Sequence, residues 1–327
     1  GDTYTYMVSY VYFDACSQLN ETSPPSSSLC AQTCGSGCSS PEVLITGNQA
    51  EMGDSGYSFI QTYDLADGSF LFQFIPGGTQ TDEPNGRGLA VSGSEIFYSE
   101  VPQNSWGPWG APGNWIHVCP YGTEGSGGSD TRTIPNPDTR TDANGDSAWI
   151  SALAFQYDPN QGKTELFALT GYELGAGLSQ QYPRKVYELD PTTGAVVGPA
   201  SGVTLTGTAD GGGYATLGSD GFTVLPNGHF IVNEDDASPI YDEYGANGVL
   251  IPQSQGGIRV NLDTSEFRDY PSGTGVAVAP DGQSLYFIAN VNGQNQVVIQ
   301  TDLTGNNPKF YPVDGNGIEN IGITVLQ

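Results

Sequence analysis

The 327-residue sequence has few cationic side chains: 9 Lys and Arg stand against 36 Asp and Glu, for a formal net charge of −27. A surface this acidic repels nucleic-acid phosphates and anionic lipid headgroups, so neither nucleic acid nor a membrane is an expected partner. The sequence has only two histidines, His117 and His229. Enzyme sites that need several imidazoles are therefore excluded, and the sequence also lacks a G-x-S-x-G elbow and a Walker phosphate loop.

The sequence shows neither a sustained helical period nor a long apolar run. No stretch of 18 or more apolar residues occurs, so no segment is expected to span a membrane. In contrast, 46 Gly and 22 Pro are spread among the strand-forming residues Tyr, Val, Ile, Phe and Thr. This composition predicts an all-β fold with many short strands joined by turns.

Residues 221–245 contain a unit that the rest of the chain repeats with variations. Two apolar runs, at 222–225 and 230–232, flank a Pro-Asn-Gly turn. They predict a β-hairpin, because Asn-Gly supplies the positive φ values that a tight connection needs. A burst of carboxylates follows the second strand, and a Pro-Asp-Gly turn at 280–282 also has an apolar strand on each side.

The sequence predicts four strands in each repeat. First strands that begin with small residues are expected at 88–91, 152–155, 221–224, 275–278 and 322–325. Second strands are expected at 96–98, 166–169, 230–232 and 285–288, and third strands at 61–64, 186–190, 259–261 and 299–302. Fourth strands fit at 70–75, 195–197, 267–270 and 310–313.

Tandem four-stranded units are typical of a β-propeller, in which small residues suit the crowded innermost strands. The strand at 322–326 has no following partners, so strands at 43–45, 59–64 and 70–75 are expected to complete its blade. Closure by strands from both termini removes the open sheet edges. The sequence thus predicts a single domain, residues 1–327, with five blades. Residues 4–13 are expected to form an extra strand, so six blades are the alternative to five. A β-sandwich or jelly roll is the alternative architecture.

Four cysteines crowd a Ser/Thr/Pro/Gly-rich insertion at about residues 14–42: Cys16, Cys30, Cys34 and Cys38. We expect them to form two disulfides, as is usual in an oxidising compartment. Zinc is the alternative, but the C-x3-C spacing is not that of zinc ribbons and no histidine lies nearby. The fifth cysteine, Cys119, is either buried in a strand as a thiol or paired with one of the four.

An N-glycosylation sequon begins at Asn20 in the same insertion. Together with the cysteines and the acidity, it indicates an extracellular, secreted glycoprotein. The chain starts without a charged segment followed by an apolar one, so it is interpreted as a mature form from which a signal peptide has been removed.

Loop lengths predict where the functional site lies. In a propeller, the connections from strand two to three and from strand four to the next blade emerge on one face. Here those connections are long, at 77–86, 101–114, 136–147, 171–184, 206–220 and 234–255, whereas the turns on the other face are short. Because elaborated loops on a rigid scaffold usually carry function, the site is expected on the long-loop face.

Nine carboxylates are expected on that face: Asp82, Glu83, Glu100, Asp146, Asp220, Glu234, Asp235, Asp236 and Glu319. Oxygen ligands around a channel mouth suit calcium, and clustered carboxylates raise one another's pKa values, which acid–base catalysis uses. We expect at least one calcium, with ligands among Asp220, Glu234, Glu319 and Glu100, and a catalytic role for Glu234 and Asp236. The alternative is that each is a solvated loop residue.

Aromatic residues and one cation complete the candidate site. Trp106, Trp109 and Trp115, with His117 beside them, could stack on a sugar ring or an apolar ligand, or could pack a small core of their own. Arg87 could bind a ligand carboxylate or phosphate and is a candidate catalytic residue, although a structural ion pair with Asp82 or Glu83 is the alternative.

Residues 220–228, 232–234 and 240–248 resemble the "esterase-like activity of phytase" group of secreted propellers. That group carries an E-G-[IL] element, a P-D-G turn, a strand ending in D-E and an I-x-x-[FY]-x-x-x-G turn. The resemblance implies a propeller with ester-directed activity. The sequence departs from that group in the other repeats, where Arg87, Thr274 or Ile321 stands in place of the acidic residue before Gly. It also lacks the calcium-ligand motif of propeller phytases. The chain is also similar, more broadly, to gluconolactonase-type propellers, which have a Glu/Asn/Asp calcium site.

These observations together predict a calcium-assisted hydrolase of ester, lactone or sugar-phosphate bonds. A lectin-like carbohydrate-binding propeller is the alternative, and a glycoside hydrolase that uses a carboxylate pair is another. The blades differ strongly in loop length, which favours one site for a small-molecule or glycan ligand over repeated pockets. The protein is expected to be a monomer.

Overall fold

The computed structural model describes residues 42–48, 58–65, 68–74, 88–99, 115–121, 131–140, 148–157, 164–171, 184–207, 221–235, 238–262, 272–279, 282–291, 295–313 and 319–326. In chain order the strands are β1 (Glu42–Asn48), β2 (Ser58–Asp64), β3 (Phe70–Phe74), β4 (Leu89–Ser92), β5 (Glu95–Ser99), β6 (Trp115–Pro120), β7 (Arg132–Pro135), β8 (Trp149–Tyr157), β9 (Thr164–Gly171), β10 (Lys185–Leu189), β11 (Val203–Thr204), β12 (Phe222–Val224), β13 (Phe230–Asp235), β14 (Ser238–Tyr244), β15 (Arg259–Asn261), β16 (Ser272–Val278), β17 (Ser284–Val291), β18 (Asn295–Asp302), β19 (Lys309–Val313) and β20 (Glu319–Leu326). A short 3-10 helix, Gln253–Gln255, precedes β15.

The predicted hairpin between β12 and β13 is present, and its turn has one feature that the sequence did not predict. The N–H of Gly228 donates to the carbonyl of Leu225 at 2.9 Å, which leaves Pro226 and Asn227 as the central turn residues. Gly228 has a φ of 81°, whereas Asn227 is not in the left-handed region. The Gly therefore supplies the positive φ alone, and Pro226 fits the first central position because its ring fixes φ near −65°.

The described strands form five antiparallel sheets of four strands each: β20-β1-β2-β3, β4 to β7, β8 to β11, β12 to β15 and β16 to β19. We call them blades 1 to 5 in that order. Five buried apolar clusters lie between consecutive blades, and one of them joins blade 5 back to blade 1 through residues such as Ala277 and Ile323. The predicted propeller is thus confirmed. Residues 4–13, on which a sixth blade would depend, lie outside the described residues.

The predicted ring closure is also confirmed. β20 pairs antiparallel with β1 from Leu326↔Glu42 to Glu319↔Asn48, and β2 and β3 complete the same blade. The register shifts between Thr46 and Gly47 of β1, where one residue of β20 has no pairing partner in β1. This irregularity marks a bulge near the start of β20.

The innermost strands are β20, β4, β8, β12 and β16, and at the beginning of β4 a small residue is required by space. A Cβ on Gly88, just before β4, would lie 2.7 Å from Cγ of Leu153 in blade 3 and 2.8 Å from Oγ of Ser99. Real contacts of this kind are essentially never so short. Gly88 therefore allows blades 2 and 3 to approach each other at the channel.

Two strand predictions are wrong. The third strand of blade 4 is β14, inside the expected long loop at 234–255, and Arg259–Asn261 is the fourth strand, not the third. In blade 3 the fourth strand is Val203–Thr204, while Val196 forms only an isolated bridge with Leu189. Within the described ranges, no helix has the length and apolarity needed to cross a membrane.

Candidate functional site

The five inner strands surround a central channel with two chemically different ends. We call the end at which β4, β8, β12, β16 and β20 begin the long-loop end, and the end at which they finish the turn end. A cavity of about 440 Å³ lies towards the turn end. Residues of all five inner strands form its walls, most of them from the second half of each strand, together with Gly93 and Pro226 from the turns that follow β4 and β12.

Among the residues that the structure describes, none in the wall of the turn-end cavity is ionisable. Its lining combines Leu, Val, Ile, Ala, Phe and Pro side chains with three hydroxyl groups, those of Ser92, Thr223 and Thr324. None of the carboxylates predicted as site residues belongs to this described wall.

Six of the twelve buried polar side chains in the described part of the chain lie at the long-loop end of the strands. They come from the ends of second strands, from the starts of inner and third strands, and from one connecting loop: Ser99, Asp138, Ser151, Thr170, Arg184 and Asn233. Because buried polar groups are costly unless they are hydrogen-bonded, this end has been built around specific polar contacts.

Asp138 makes the most extensive of these contacts. It follows β7, its side chain is fully buried, and its carboxylate pairs with Arg140 at 2.5 Å. Arg140 also donates its Nε and backbone N–H, and the hydroxyl of Thr170 in β9 donates at 2.7 Å. Burial disfavours the charged form of Asp138, but the hydrogen bonds from Arg140 and Thr170 outweigh it and hold the pKa of that carboxyl below its usual value.

The role of Asp138 follows from how its oxygens are used. A carboxylate has about four lone-pair positions, and these donors occupy them, so no capacity is left for a metal or a substrate. Asn136 supports the same loop by accepting the N–H of Asp138 and donating to the carbonyl of Ala148. Asp138 thus fixes the loop between blades 2 and 3.

The pKa of the Tyr187 hydroxyl is raised, mainly by burial and to a smaller extent by the nearby negative charge of Asp138.

Sequence reasoning missed this group, because Asp138 and Arg140 lay inside the expected loop at 136–147. The available signal was the Asn-Pro-Asp-Thr-Arg spacing at 136–140. Asn and Asp side chains commonly accept the backbone N–H two residues later, as both Asn136 and Asp138 do here.

The backbone around Glu234, a predicted ligand and catalytic residue, is irregular. The register passes from Asn233↔Tyr241 to Asp235↔Ser238, so Glu234 faces two residues of β14. Bulges of this kind re-aim side chains and are frequent beside active sites. Asn233 is fully buried, and its N–H donates to the carbonyl of Gly221 at 2.8 Å.

Blade 2 has the same arrangement at the same end. The N–H of Ser99 donates to the carbonyl of Gly88 at 3.0 Å, and the N–H of Gly88 donates to Oγ of Ser99 at 2.7 Å. In the sequence, Gly88 follows Arg87 and Ser99 precedes Glu100, just as Gly221 follows Asp220. Glu319 is the first residue of β20.

Two of the predicted ligand-binding residues, Trp115 and His117, belong to strand β6. Trp115 begins β6 at the long-loop end and is 38% exposed. His117 lies two residues further along β6 and stacks on Tyr98, with ring centroids 5.1 Å apart. Trp115 is thus available to a ligand, while His117 contributes to the face of blade 2.

The other predicted site residues lie outside the described residues: Arg87, Glu100, Trp106, Trp109, Asp220 and Asp236, with Asp82, Glu83 and Asp146. So do Cys16, Cys30, Cys34, Cys38 and Asn20. Cys119 is buried in β6 between blades 1 and 2, in agreement with one of its two predicted environments. Among the described residues, no group of three or more His, Cys, Asp or Glu side chains is arranged to hold a metal ion.

One further polar pair lies at the turn end. Nδ1 of His229 is 2.6 Å from Oε1 of Glu243, and Oε2 of Glu243 accepts the N–H of Ile258 at 2.8 Å. Glu243 is buried in β14, next to Asp242, which pairs with Arg259 at 3.2 Å. These contacts explain how a strand with two adjacent carboxylates can lie inside blade 4.

No protein-family model and no curated protein sequence matches the chain. A protein of unknown function from Bacteroides caccae is similar, with 10% identity and a TM-score of 0.40, over 88% of this chain and 100% of that one. The periplasmic gluconolactonase of Pseudomonas aeruginosa has 14% identity and a TM-score of 0.36, over 83% of this chain and 68% of that one. TolB from Acinetobacter baumannii has 14% identity and a TM-score of 0.38, over 82% of this chain, which spans about half (51%) of TolB.

These values assign neither a family nor an activity. A gluconolactonase is among the similar solved structures. The resemblance to the phytase-like group stays a prediction.

Proposed function

We propose that this propeller is a calcium-assisted hydrolase of ester, lactone or sugar-phosphate bonds, acting at the long-loop end of its channel. One observation carries the proposal. The hydrogen-bonded pairs Gly88–Ser99 and Gly221–Asn233, together with the start of β20, all belong to that end. Residues next to them in the sequence include five of the candidates: Arg87, Glu100, Asp220, Glu234 and Glu319.

The contrast between the two channel ends supports the choice of end. The described residues of the turn-end cavity wall include no ionisable group, so they offer neither a general base nor a carboxylate ligand for a cation. The candidates next to the long-loop end are carboxylates, the ligands that calcium prefers, with Arg87 as the one cation among them.

In the proposed mechanism Asp220, Glu234, Glu319 and Glu100 hold the ion. Bound calcium would supply Lewis acidity at a carbonyl or phosphoryl oxygen. Asp236 and Glu234 are the carboxylates proposed to take a proton from the attacking water, and Arg87 is proposed to bind an anionic group of the substrate. The bulge opposite Glu234 is the feature that would direct its side chain.

The test compares thermal unfolding in calcium and in a chelator for the wild type and two variants. Calcium is expected to raise the midpoint, because a ligand at about 100 times its Kd adds about 2.7 kcal/mol to the free energy of unfolding. Glu234→Gln should abolish that rise. Asp302→Asn is the matched control, since Asp302 lies in a surface turn at the end of β18 and should leave the rise intact.

Turnover is measured on a short-chain aryl ester, an aldonolactone, a sugar phosphate and an aryl glycoside. Glu234→Gln should lose activity on whichever class is hydrolysed, while Asp302→Asn keeps it. An identical midpoint with calcium and chelator would refute the metal. Turnover of the glycoside alone would favour a glycosidase that uses a carboxylate pair.

The exposure of Trp115 favours a second candidate function, a carbohydrate-binding propeller. A single exposed indole at the long-loop end can stack on a sugar ring without any turnover. Glycan-array binding that Trp115→Ala removes, with no activity on the substrate panel, would support this function in place of hydrolysis.

A further inference from the structure

We propose that the turn-end cavity is a separate binding site for a small, uncharged molecule with an apolar body and one or two hydrogen-bonding groups. It does not depend on the proposed hydrolase, because it shares no residue with the long-loop candidates. Small-molecule sites typically have volumes of about 300–1,000 Å³, and the volume of about 440 Å³ falls within that range.

Every inner strand contributes an apolar wall residue, so the site exists only in the closed ring. Representative residues are Val91 from blade 2, Phe155 from blade 3, Val224 from blade 4, Val278 from blade 5 and Val325 from blade 1. A ligand that fills this space removes the apolar surface of five blades from water, which favours binding in proportion to the area buried.

The wall chemistry selects against charged ligands. No Lys, Arg, His, Asp or Glu is among the described residues that line the cavity. An ionised ligand would therefore lose its hydration without gaining an opposite charge, and the net charge of −27 further disfavours anions.

Hydrogen-bonding groups are nevertheless present in the wall. Each inner strand is the edge strand of its own sheet, so one row of its backbone N–H and C=O groups faces the channel. Blade 4 already satisfies one of them: the N–H of Val278 donates to Oγ1 of Thr223 at 3.2 Å. Thr324, on β20, adds a partly exposed hydroxyl to the same wall. The preferred ligand is thus a neutral ring compound with a hydroxyl or carbonyl group.

Three naphthalene probes of equal size test this proposal by equilibrium dialysis: 1-naphthol, naphthalene and 1-naphthalenesulfonate. We expect saturable binding of 1-naphthol with one site per chain and weaker binding of naphthalene. No saturable binding of the sulfonate is expected.

Two variants of Thr324 locate the site. Thr324→Phe places a ring in the cavity and should weaken 1-naphthol binding at least tenfold. Thr133→Phe is the matched control, because Thr133 is an exposed strand threonine of β7 outside the cavity. Thr324→Val keeps the shape and removes the hydroxyl, so it should weaken 1-naphthol roughly fivefold, the loss expected for one hydrogen bond, and leave naphthalene unchanged.

Equal 1-naphthol affinity in Thr324→Phe and Thr133→Phe would overturn the proposal, as would the absence of saturable binding to the wild type. If Thr324→Phe does not fold, the Thr324→Val result decides, because unchanged 1-naphthol affinity in that variant also counts against the site. Tight binding of the sulfonate would contradict the inferred preference for neutral ligands.

Discussion

Replacement of Asp138 by Asn tests the polar construction of the long-loop end. The substitution keeps the size of the side chain but removes the charge that pairs with Arg140 and replaces one acceptor oxygen by a donor NH₂ group. Because Asp138 is fully buried and Arg140 is 21% exposed, the change leaves a largely desolvated guanidinium without its partner. Breaking a buried pair in this way costs about 3–5 kcal/mol. That is a large part of the roughly 5–15 kcal/mol by which proteins are stable.

The effect should depend on pH in a defined direction. The pKa of Asp138 is lowered in the folded protein, so its contribution to the free energy of unfolding is present above the pKa of the unfolded chain, about 4. That contribution is lost as the pH falls through the folded-state pKa. The difference between wild type and Asp138→Asn should therefore be constant near neutral pH and shrink in acid.

Urea unfolding from about pH 7 to about pH 2.5 measures this difference directly. Asp302→Asn is the control, because hydrogen bonding from Thr304 and neighbouring groups also lowers the pKa of Asp302, but in a surface turn with no paired cation. The control should change stability little. A loss of less than about 1 kcal/mol in Asp138→Asn at neutral pH, or a difference that persists unchanged in acid, would refute the reasoning.

Two further substitutions test packing and surface charge. Gly88→Ala should lower the free energy of unfolding in urea by about 1–3 kcal/mol, because its Cβ would overlap Leu153 across the interface of blades 2 and 3. Unchanged stability would show that the two blades can separate freely. Arg132→Gln should lower the free energy of unfolding by about 1 kcal/mol or less at low salt, because the bidentate ion pair between Arg132 and Glu95 is partly exposed. A salt concentration of about 1 M should reduce that loss. A larger, salt-independent loss would contradict an electrostatic origin.

The sequence predicted the blades well where each strand is locally apolar. The inner strands β4, β12 and β16 lie where alternating apolar and small residues predicted them, since packing between blades requires that pattern. β14 was missed because Asp242 and Glu243 lie near its end, and adjacent carboxylates count against a buried strand in any local pattern. Their partners, Arg259 and His229, lie 14 to 17 residues away along the chain, so only the folded blade shows that these charges are paired.

The candidate site stays a prediction. Loop length and acidity pointed to one end of the channel, and the described strands place some of the buried polar side chains, such as Ser99, Thr170 and Asn233, at that end. The Asp138 group was not predicted, because its stability depends on Thr170, contributed by the neighbouring blade. The turn-end cavity was not predicted either, since its wall combines residues from all five blades and no local pattern records that combination.

Ring closure has a consequence for biosynthesis. Because β1 is completed only by β20, the inner edge of β1 stays without a partner until nearly all of the described chain has left the ribosome. Pairings between distant parts of a chain form slowly, and an open strand edge can pair with another molecule in the meantime. A chain in which blades 2 to 5 have folded before β20 pairs would therefore carry an open strand edge at β1, and faster pairing of residues 319–326 with β1 would shorten the time in which that edge can bind another molecule.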